Sequence, residues 1–105
     1  MHPEIEKQRE ALAALCRRYR VARLEVFGSA AREADFDPRR SDFDFVVAFE
    51  PEGGTPSLHQ YVDFAEALEK LFGRPVDLIE RKALDESRNY IRRRAILEDA
   101  TVVYG

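Results

Sequence analysis

The chain has 105 residues, of which 45% are apolar and 35% are charged. This length and balance predict one small globular domain over residues 1–105 and exclude a mainly disordered chain. The formal net charge of -3 argues against general nucleic-acid binding, and the single cysteine excludes an internal disulfide. Because no apolar run reaches the ~20 residues of a membrane span or resembles a secretion signal, we expect a cytoplasmic protein without a membrane or direct nucleic-acid partner.

The first elements in chain order are a helix, a strand and a second helix. The segment PEIEKQREALAALCRRYR (3–20) has apolar residues at helical spacing, which predicts an amphipathic helix with Cys16 in its buried stripe. The segment VARLEVFGS (21–29) predicts a strand that stops at Gly28 and Ser29. AAREAD (30–35) favours a short helix, so the turn would aim free backbone N–H groups at a phosphate.

The second half of the chain continues the alternation of strands and helices. DFDFVVAFE (42–50) predicts a strand, and residues 57–72 predict a helix that Gly73 and Pro75 end. The apolar face of that helix is expected to hold Leu58, Tyr61, Val62, Ala65, Leu68 and Phe72. PVDLIE (75–80), LDESRNYIRRRAILED (84–99) and TVVY (101–104) predict a strand, a helix and a strand. The order predicts an α/β (α+β) domain with a small mixed sheet flanked by helices.

Some apolar side chains do not fit a single buried face. On the last predicted helix, Ile91 and Ala95 lie together, Tyr90 and Leu97 lie on another face, and Ile96 lies on a third. Phe64 and Leu71 flank the apolar face of the preceding helix. These side chains either complete an irregular core or contact a partner.

The tripeptide Asp-Phe-Asp occurs twice, at residues 35–37 and 42–44. Pro38 follows the first copy and predicts a loop. The second copy opens a strand, where residues two apart point the same way and hold Asp42 and Asp44 side by side. Two such anions repel each other unless a cation bridges them, and Mg²⁺ prefers oxygen ligands. The alternative is that these two aspartates are only the exposed face of an edge strand.

Two further features favour a functional site. Gly28 and Ser29 lie at a strand-to-helix turn, and Asp77 in the later short strand is able to supply a third carboxylate. Three carboxylates around metal ions, with a phosphate cradle opposite, suit in-line displacement at the α-phosphate of a nucleotide.

The segments FGSAAREADFDPRRSDFDFVV (27–47) and VDLIE (76–80) resemble the minimal nucleotidyltransferases (MNT) of the DNA polymerase β superfamily. The resemblance implies that Gly28 and Ser29 hold the triphosphate of ATP. Arg32 matches an arginine of the same signature and would neutralise charge or orient the acceptor; the alternative is a solvated helix residue. The resemblance also implies that Asp42, Asp44 and Asp77 bind two Mg²⁺ ions, and that Asp77 activates the attacking hydroxyl. Glu33 stands where relatives often have glycine, and twelve residues separate Ser29 from Asp42 where relatives have about ten, a difference that loop-closure entropy tolerates.

Stand-alone proteins of this kind are typically encoded with an all-helical HEPN-domain toxin. The resemblance therefore implies a nucleotidyltransferase that moves AMP from ATP to a hydroxyl of that partner, in particular a tyrosine hydroxyl, and acts as its antitoxin. Two alternatives stay open: a catalytically weak module that neutralises a helical partner by occlusion, and a subunit that modifies a small hydroxylated molecule. Homo- or hetero-oligomers are compatible with each.

Overall fold

The computed structural model describes residues 2–28, 31, 42–51 and 57–105. The strands are β1 (Val21–Phe27), β2 (Phe43–Phe49), β3 (Val76–Glu80) and β4 (Thr101–Tyr104). Within the described residues these four form one sheet in the order β3-β2-β1-β4. β1 is antiparallel to both β2 and β4, whereas β2 is parallel to β3. The mixed sheet with flanking helices confirms the predicted fold class.

The first helical segment has a break that the sequence pattern did not predict. Helix α1 (Pro3–Lys7) ends at Gln8, and α2 (Arg9–Arg18) follows directly. Gln8 has a backbone φ of -98° and ψ of 15°, outside the helical values. Its N–H still donates to the carbonyl of Glu4, and its own carbonyl accepts from the N–H of Leu12. The single predicted helix is therefore a kinked pair that keeps the helical hydrogen bonds at the kink.

Helix α3 (Leu58–Phe72) has the predicted ends. The hydroxyl of Ser57 accepts a hydrogen bond from the N–H of Gln60 at 3.1 Å, and Gly73 closes the helix at a φ of 65°. The predicted apolar face was wrong in part, because Phe64 is fully buried, whereas Leu58 is 79% exposed and Val62 is 39% exposed. The core takes the larger aromatic ring, which buries more apolar area than a valine does, and the helix is rotated accordingly.

The last predicted helix is two helices, α4 (Arg81–Asp85) and α5 (Tyr90–Asp99). The side chain of Asn89 accepts from the N–H of Arg92 at 3.1 Å and thereby starts α5. The hydroxyl of Ser87 accepts from the N–H of Asn89 at 3.2 Å. Serine and asparagine form such local bonds in competition with helical ones, so the prediction of one helix over residues 84–99 was wrong.

Helices cover both faces of the sheet. The larger cluster lies on the side of α1, α2 and α3 and consists of fully or nearly buried apolar residues: Ile5, Leu12, Cys16, Val21, Leu24, Val26, Phe43, Phe45, Val47, Phe64, Leu68, Phe72, Leu78 and Val103. The smaller cluster lies under α4 and α5 and consists of Phe27, Val46, Leu84 and Ile96. Burial of Cys16 is as predicted and raises the pKa of its thiol to about 12. No helix in the described part of the chain is long and apolar enough to cross a membrane.

Candidate active site

The second Asp-Phe-Asp lies at the start of β2. Asp42 precedes the strand and is exposed, and Asp44 is its second residue and is half-buried. Phe43, between the two aspartates, points into the larger core cluster and is fully buried. The alternation of the strand therefore turns Asp44 toward the opposite face, which it shares with Val46 of the smaller cluster.

The third aspartate lies on the neighbouring strand. In the parallel pairing of β2 with β3, Asp44 is the register partner of Asp77. Paired residues of adjacent strands point to the same face and lie about 5 Å apart. The structure thus places Asp77 beside Asp44, on the strand next to β2.

Gly28 lies directly against Asp44. It follows β1, whose last residue, Phe27, is the register partner of Asp44. Gly28 has a φ of +70°, and a Cβ on it would be only 2.7 Å from Oδ2 of Asp44. A side chain at this position would collide with the carboxylate, so glycine provides both the left-handed backbone and the space that Asp44 occupies.

Gly28 is hydrogen-bonded to Ala31, three residues later in the chain. The N–H of Ala31 donates to the carbonyl of Gly28 at 3.1 Å, and Ala31 is helical. Ser29 and Arg32, the other two predicted nucleotide contacts, lie outside the described residues, as do Glu33 and the first Asp-Phe-Asp. Their roles stay predictions.

The surroundings of Asp44 disfavour the negative charge of its carboxylate. Burial, followed by the charges of Asp77 and then Asp42, raises the pKa of Asp44 from 3.8 to about 6. A bound cation would relieve this repulsion, and the donors are carboxylate oxygens of the kind that Mg²⁺ prefers. In chemical type, Asp42, Asp44 and Asp77 therefore fit a divalent metal.

The carboxylates of Asp42, Asp44 and Asp77 do not converge on one point where a metal ion could bind all three. Among the described residues, no group of three or more histidine, cysteine, aspartate or glutamate side chains is arranged to hold a metal ion. Asp42 and Asp77 are exposed, and exposed side chains change rotamer readily. Convergence on an ion requires rearrangement of side chains rather than of the strands.

Sequence reasoning did not single out Glu25 on the same face. Glu25 pairs with Val46 of β2 and is only 7% exposed. Its carboxylate lies 3.4 Å from Nε of Arg23 and 3.5 Å from a guanidinium nitrogen of Arg81. Two arginines compensate the buried charge, and the face that carries Asp44 is therefore polar in its interior. The available signal was a glutamate between the apolar residues Leu24 and Val26 of β1.

The sequence pattern predicted that Tyr61 lies on the apolar face of α3, but it did not reveal the contact of Tyr61 with β3. Its hydroxyl donates a hydrogen bond to the carbonyl of Leu78, the residue after Asp77. Burial, followed by the charges of Asp77 and Glu80, raises the pKa of Tyr61. The hydrogen bond fixes the outer edge of β3 beside the third aspartate.

Comparison with known proteins gives the site a family. A family model described as nucleotidyltransferase domain matches residues 8–103. A protein of Methanocaldococcus jannaschii that carries the provisional name protein adenylyltransferase is 36% identical over 86 residues, which are 82% of this chain and 80% of that protein. A solved structure described provisionally as a minimal nucleotidyltransferase superposes with a TM-score of 0.72 at 31% identity, covering 96% of this chain and 95% of the other.

More distant structures share the fold. A chain from the complex of tri-AMPylated HEPN toxin with MNT antitoxin of Shewanella oneidensis matches with a TM-score of 0.64 at 16% identity, covering 96% of this chain and 72% of that one. A chain of a toxin-antitoxin complex with AMP-PNP matches with a TM-score of 0.66 at 17% identity, and the match covers 92% of this chain and 73% of that one. With residues 8–103 inside the family model and a relative of 36% identity, this chain belongs to the nucleotidyltransferase domain family and is a nucleotidyltransferase.

Proposed function

We propose that this protein transfers AMP from ATP to a tyrosine hydroxyl of a HEPN-domain toxin and thereby acts as its antitoxin. The observation that carries the proposal is the pairing of Asp44 with Asp77 across β2 and β3, with Gly28 in contact with the Asp44 carboxylate. The relative from Methanocaldococcus jannaschii, named for protein adenylylation, supports a protein acceptor. The similar Shewanella oneidensis complex contains a HEPN toxin that is itself AMPylated.

The roles of the residues follow from their chemistry. Asp42, Asp44 and Asp77 would hold two Mg²⁺ ions, which neutralise charge on the triphosphate and make the α-phosphorus more electrophilic. Gly28 and Ser29 would hold the phosphates at the turn after β1, with Arg32 contributing positive charge.

Transfer would replace the phosphoanhydride bond between the α- and β-phosphates of ATP with a phosphodiester bond between tyrosine and AMP. The phenolic oxygen of the acceptor tyrosine forms a bond to the α-phosphorus, while the bond from that phosphorus to the pyrophosphate oxygen breaks. The phenolic proton passes to the carboxylate of Asp77. An AMP group beside an RNA-binding cleft adds negative charge that repels the RNA backbone, so a toxin modified there would lose its substrate.

The test is direct. The purified chain is incubated with a HEPN-domain protein, Mg²⁺ and α-labelled ATP, and the label and the intact mass of both proteins are followed. We expect a mass gain of one or more AMP units on the HEPN protein. The double variant Asp42→Asn/Asp44→Asn should lose transfer by about 10³-fold or more, since metal stabilisation of the transition state contributes several kcal/mol.

Metal binding can be measured without activity. Mg²⁺ should raise the melting temperature of the wild type and leave Asp42→Asn/Asp44→Asn unchanged, because ligand binding stabilises only a folded state that binds it. The matched control is Asp63→Asn/Glu66→Gln, which removes two exposed acids of α3 away from β2. Undiminished transfer by the Asp42/Asp44 variant would contradict the assignment. A stable complex that silences the toxin without transfer would instead establish neutralisation by occlusion.

A further inference from the structure

Helix α5 has an apolar side that neither core cluster uses. Ile96 is its buried residue, at 7% exposure, whereas Tyr90 is 65% exposed and Ile91 is 68% exposed. Ile91 and Ile96 are five residues apart, so they point about 140° away from each other on the helix. The solvent side of α5 therefore presents an aromatic and a β-branched side chain next to each other.

This apolar pair lies in the most basic stretch of an acidic chain. The net charge of the protein is -3, yet residues 87–97 contain four arginines and no acidic residue. Two of these arginines have intramolecular roles. Arg93 donates to the carbonyls of Asp85 and Ser87, at 3.2 and 2.9 Å, and Arg94 forms an ion pair with Glu98 at 3.0 Å.

The other two arginines, Arg88 and Arg92, are exposed and form no ion pair with any residue in the described part of the chain. Arg88 lies just before Asn89, the residue that caps the start of α5, and Arg92 lies in the first turn of the helix. Along the chain the two arginines therefore flank Tyr90 and Ile91. We call Arg88, Tyr90, Ile91 and Arg92 the α5 patch. It combines two exposed apolar side chains with two guanidinium groups that form no ion pair with any described residue.

From this composition we infer that the α5 patch docks a protein partner whose surface carries acidic residues around apolar side chains. Aromatic residues and arginine are enriched at the centres of protein interfaces, and arginine binds carboxylates in a bidentate manner. RNA is the less suitable ligand, because it could stack a base on Tyr90 but would leave the exposed side chain of Ile91 without an apolar contact.

The position of α5 connects the patch to the candidate active site. The helix has ten residues and is thus about 15 Å long. Its far end leads into β4, where Thr101 pairs with Val26, next to the end of β1 that carries Gly28. An interface of about 800 Å² per partner is roughly 30 Å across. One acceptor protein can therefore contact the patch and present a hydroxyl at Asp44.

A first experiment does not depend on the proposed function. The ¹⁵N-labelled chain is titrated with an 18-residue amphipathic helical peptide of leucine and glutamate, with its lysine-for-glutamate counterpart, and with a 12-nucleotide RNA. We expect the acidic peptide alone to shift the amides of Tyr90, Ile91 and Arg92. Arg88→Glu/Arg92→Glu should weaken its binding at least about tenfold, since two charge pairs become repulsive.

The matched control for this charge reversal is Lys7→Glu/Arg17→Glu. It changes the net charge by the same amount at exposed positions on α1 and α2, and it should leave peptide binding within about twofold of the wild type. Peptide-induced shifts centred elsewhere, an equal loss in both double variants, or RNA-induced shifts of the same amides would overturn the inference.

A second experiment rests on the proposed function and uses the HEPN-domain acceptor. Tyr90→Ala/Ile91→Ala should raise the KM for the acceptor about tenfold or more and leave kcat unchanged, because the patch contributes binding but not chemistry. The control Leu58→Ala/Val62→Ala removes exposed apolar side chains from α3 and should leave KM unchanged. Transfer with an unaltered KM in the α5 variant would overturn the docking inference alone. Absence of transfer by the wild type would overturn the proposed function, and the peptide titration would then decide the docking inference.

Discussion

The two faces of the sheet differ in composition, although the same strands build both. On the side of α1, α2 and α3, β2 contributes the fully buried residues Phe43, Phe45 and Val47 to a large apolar cluster. On the side of α4 and α5, the same strand contributes Asp44 and Val46, and the apolar cluster there has four buried members among the residues that the structure describes. Among the described residues, one face therefore buries more apolar side chains, and the other carries charge.

The face that carries Asp44 is stabilised by ion pairs as well as by apolar packing. Glu25 is buried between two arginines, whereas Asp44 has acids as neighbours and a raised pKa. Repulsion of this kind destabilises a fold, and such strain is common at functional sites. The large cluster on the opposite face allows the domain to tolerate it.

The largest expected difference between the faces is in core packing. Phe45→Ala removes a ring whose centroid lies 6.3 Å from that of Phe43 and 5.9 Å from that of Phe72. We expect a loss of about 3–5 kcal/mol in unfolding free energy. Ile96→Ala in the smaller cluster should lose about 2 kcal/mol, the lower end for such truncations. Urea denaturation measures both. Equal losses would mean that the two faces stabilise the domain equally.

Gly28→Ala should expose the constraint on Asp44. The new Cβ would meet Oδ2 of Asp44 at 2.7 Å, and the backbone has a φ of +70°. Gly73→Ala is the matched control, since Gly73 has a φ of +65° and nothing lies within 4 Å of its added Cβ. Left-handed strain should cost both variants about 1–2 kcal/mol, and Gly28→Ala about 1–2 kcal/mol more.

Chemical denaturation of both glycine variants, together with the Mg²⁺-dependent melting shift, measures this difference. The melting shift should fall only in Gly28→Ala, because only that variant displaces a proposed metal ligand. Indistinguishable stabilities would show that Asp44 moves aside without cost.

The pH dependence of stability tests the charge on Asp44. Its pKa rises from 3.8 to about 6 on folding, so the folded state holds an extra proton between these values. The resulting stabilisation is complete below about pH 4 and is lost as the pH rises through about 6. Asn resembles the protonated acid. Without metal, Asp44→Asn should therefore match the wild type at pH 3.5 and exceed it by about 1 kcal/mol at pH 7.5, after allowance for solvent screening.

Denaturation curves in EDTA at several pH values give this comparison. The contributions of charges that both proteins share cancel in the difference between their unfolding free energies. Asp63→Asn, at an exposed position of α3, serves as the control and should show no such divergence. A constant gap between Asp44→Asn and the wild type across the pH range would contradict the raised pKa.

The smallest expected effect concerns the edge of β3. Tyr61→Phe removes the hydrogen bond to the carbonyl of Leu78 and should lower stability by about 1 kcal/mol. Tyr104→Phe is the control, since the hydroxyl of Tyr104 has no hydrogen bond to any residue that the structure describes. Amide hydrogen exchange at Leu78 and Ile79 should rise only in the Tyr61 variant. Unchanged exchange would mean that β3 is fixed by its pairing with β2 alone.

The local sequence determined the fold class and the candidate aspartates. Period-two alternation in residues 42–50 separated Phe43 and Phe45 from Asp42 and Asp44, and the structure has the same separation. Ser57 and Gly73 marked the ends of α3 because capping and left-handed turns depend on the residue itself. These features are local, and a single sequence contains them.

Only the tertiary structure decided which residues meet. The parallel register of β2 and β3 places Asp77 opposite Asp44, and the end of β1 places Gly28 against the same carboxylate. The choice of Phe64 over Val62 for the core likewise depended on the surface that α3 covers. Strand register and helix rotation result from packing between segments far apart in the chain. The sequence by itself therefore supplied the chemical groups, whereas long-range packing set their geometry.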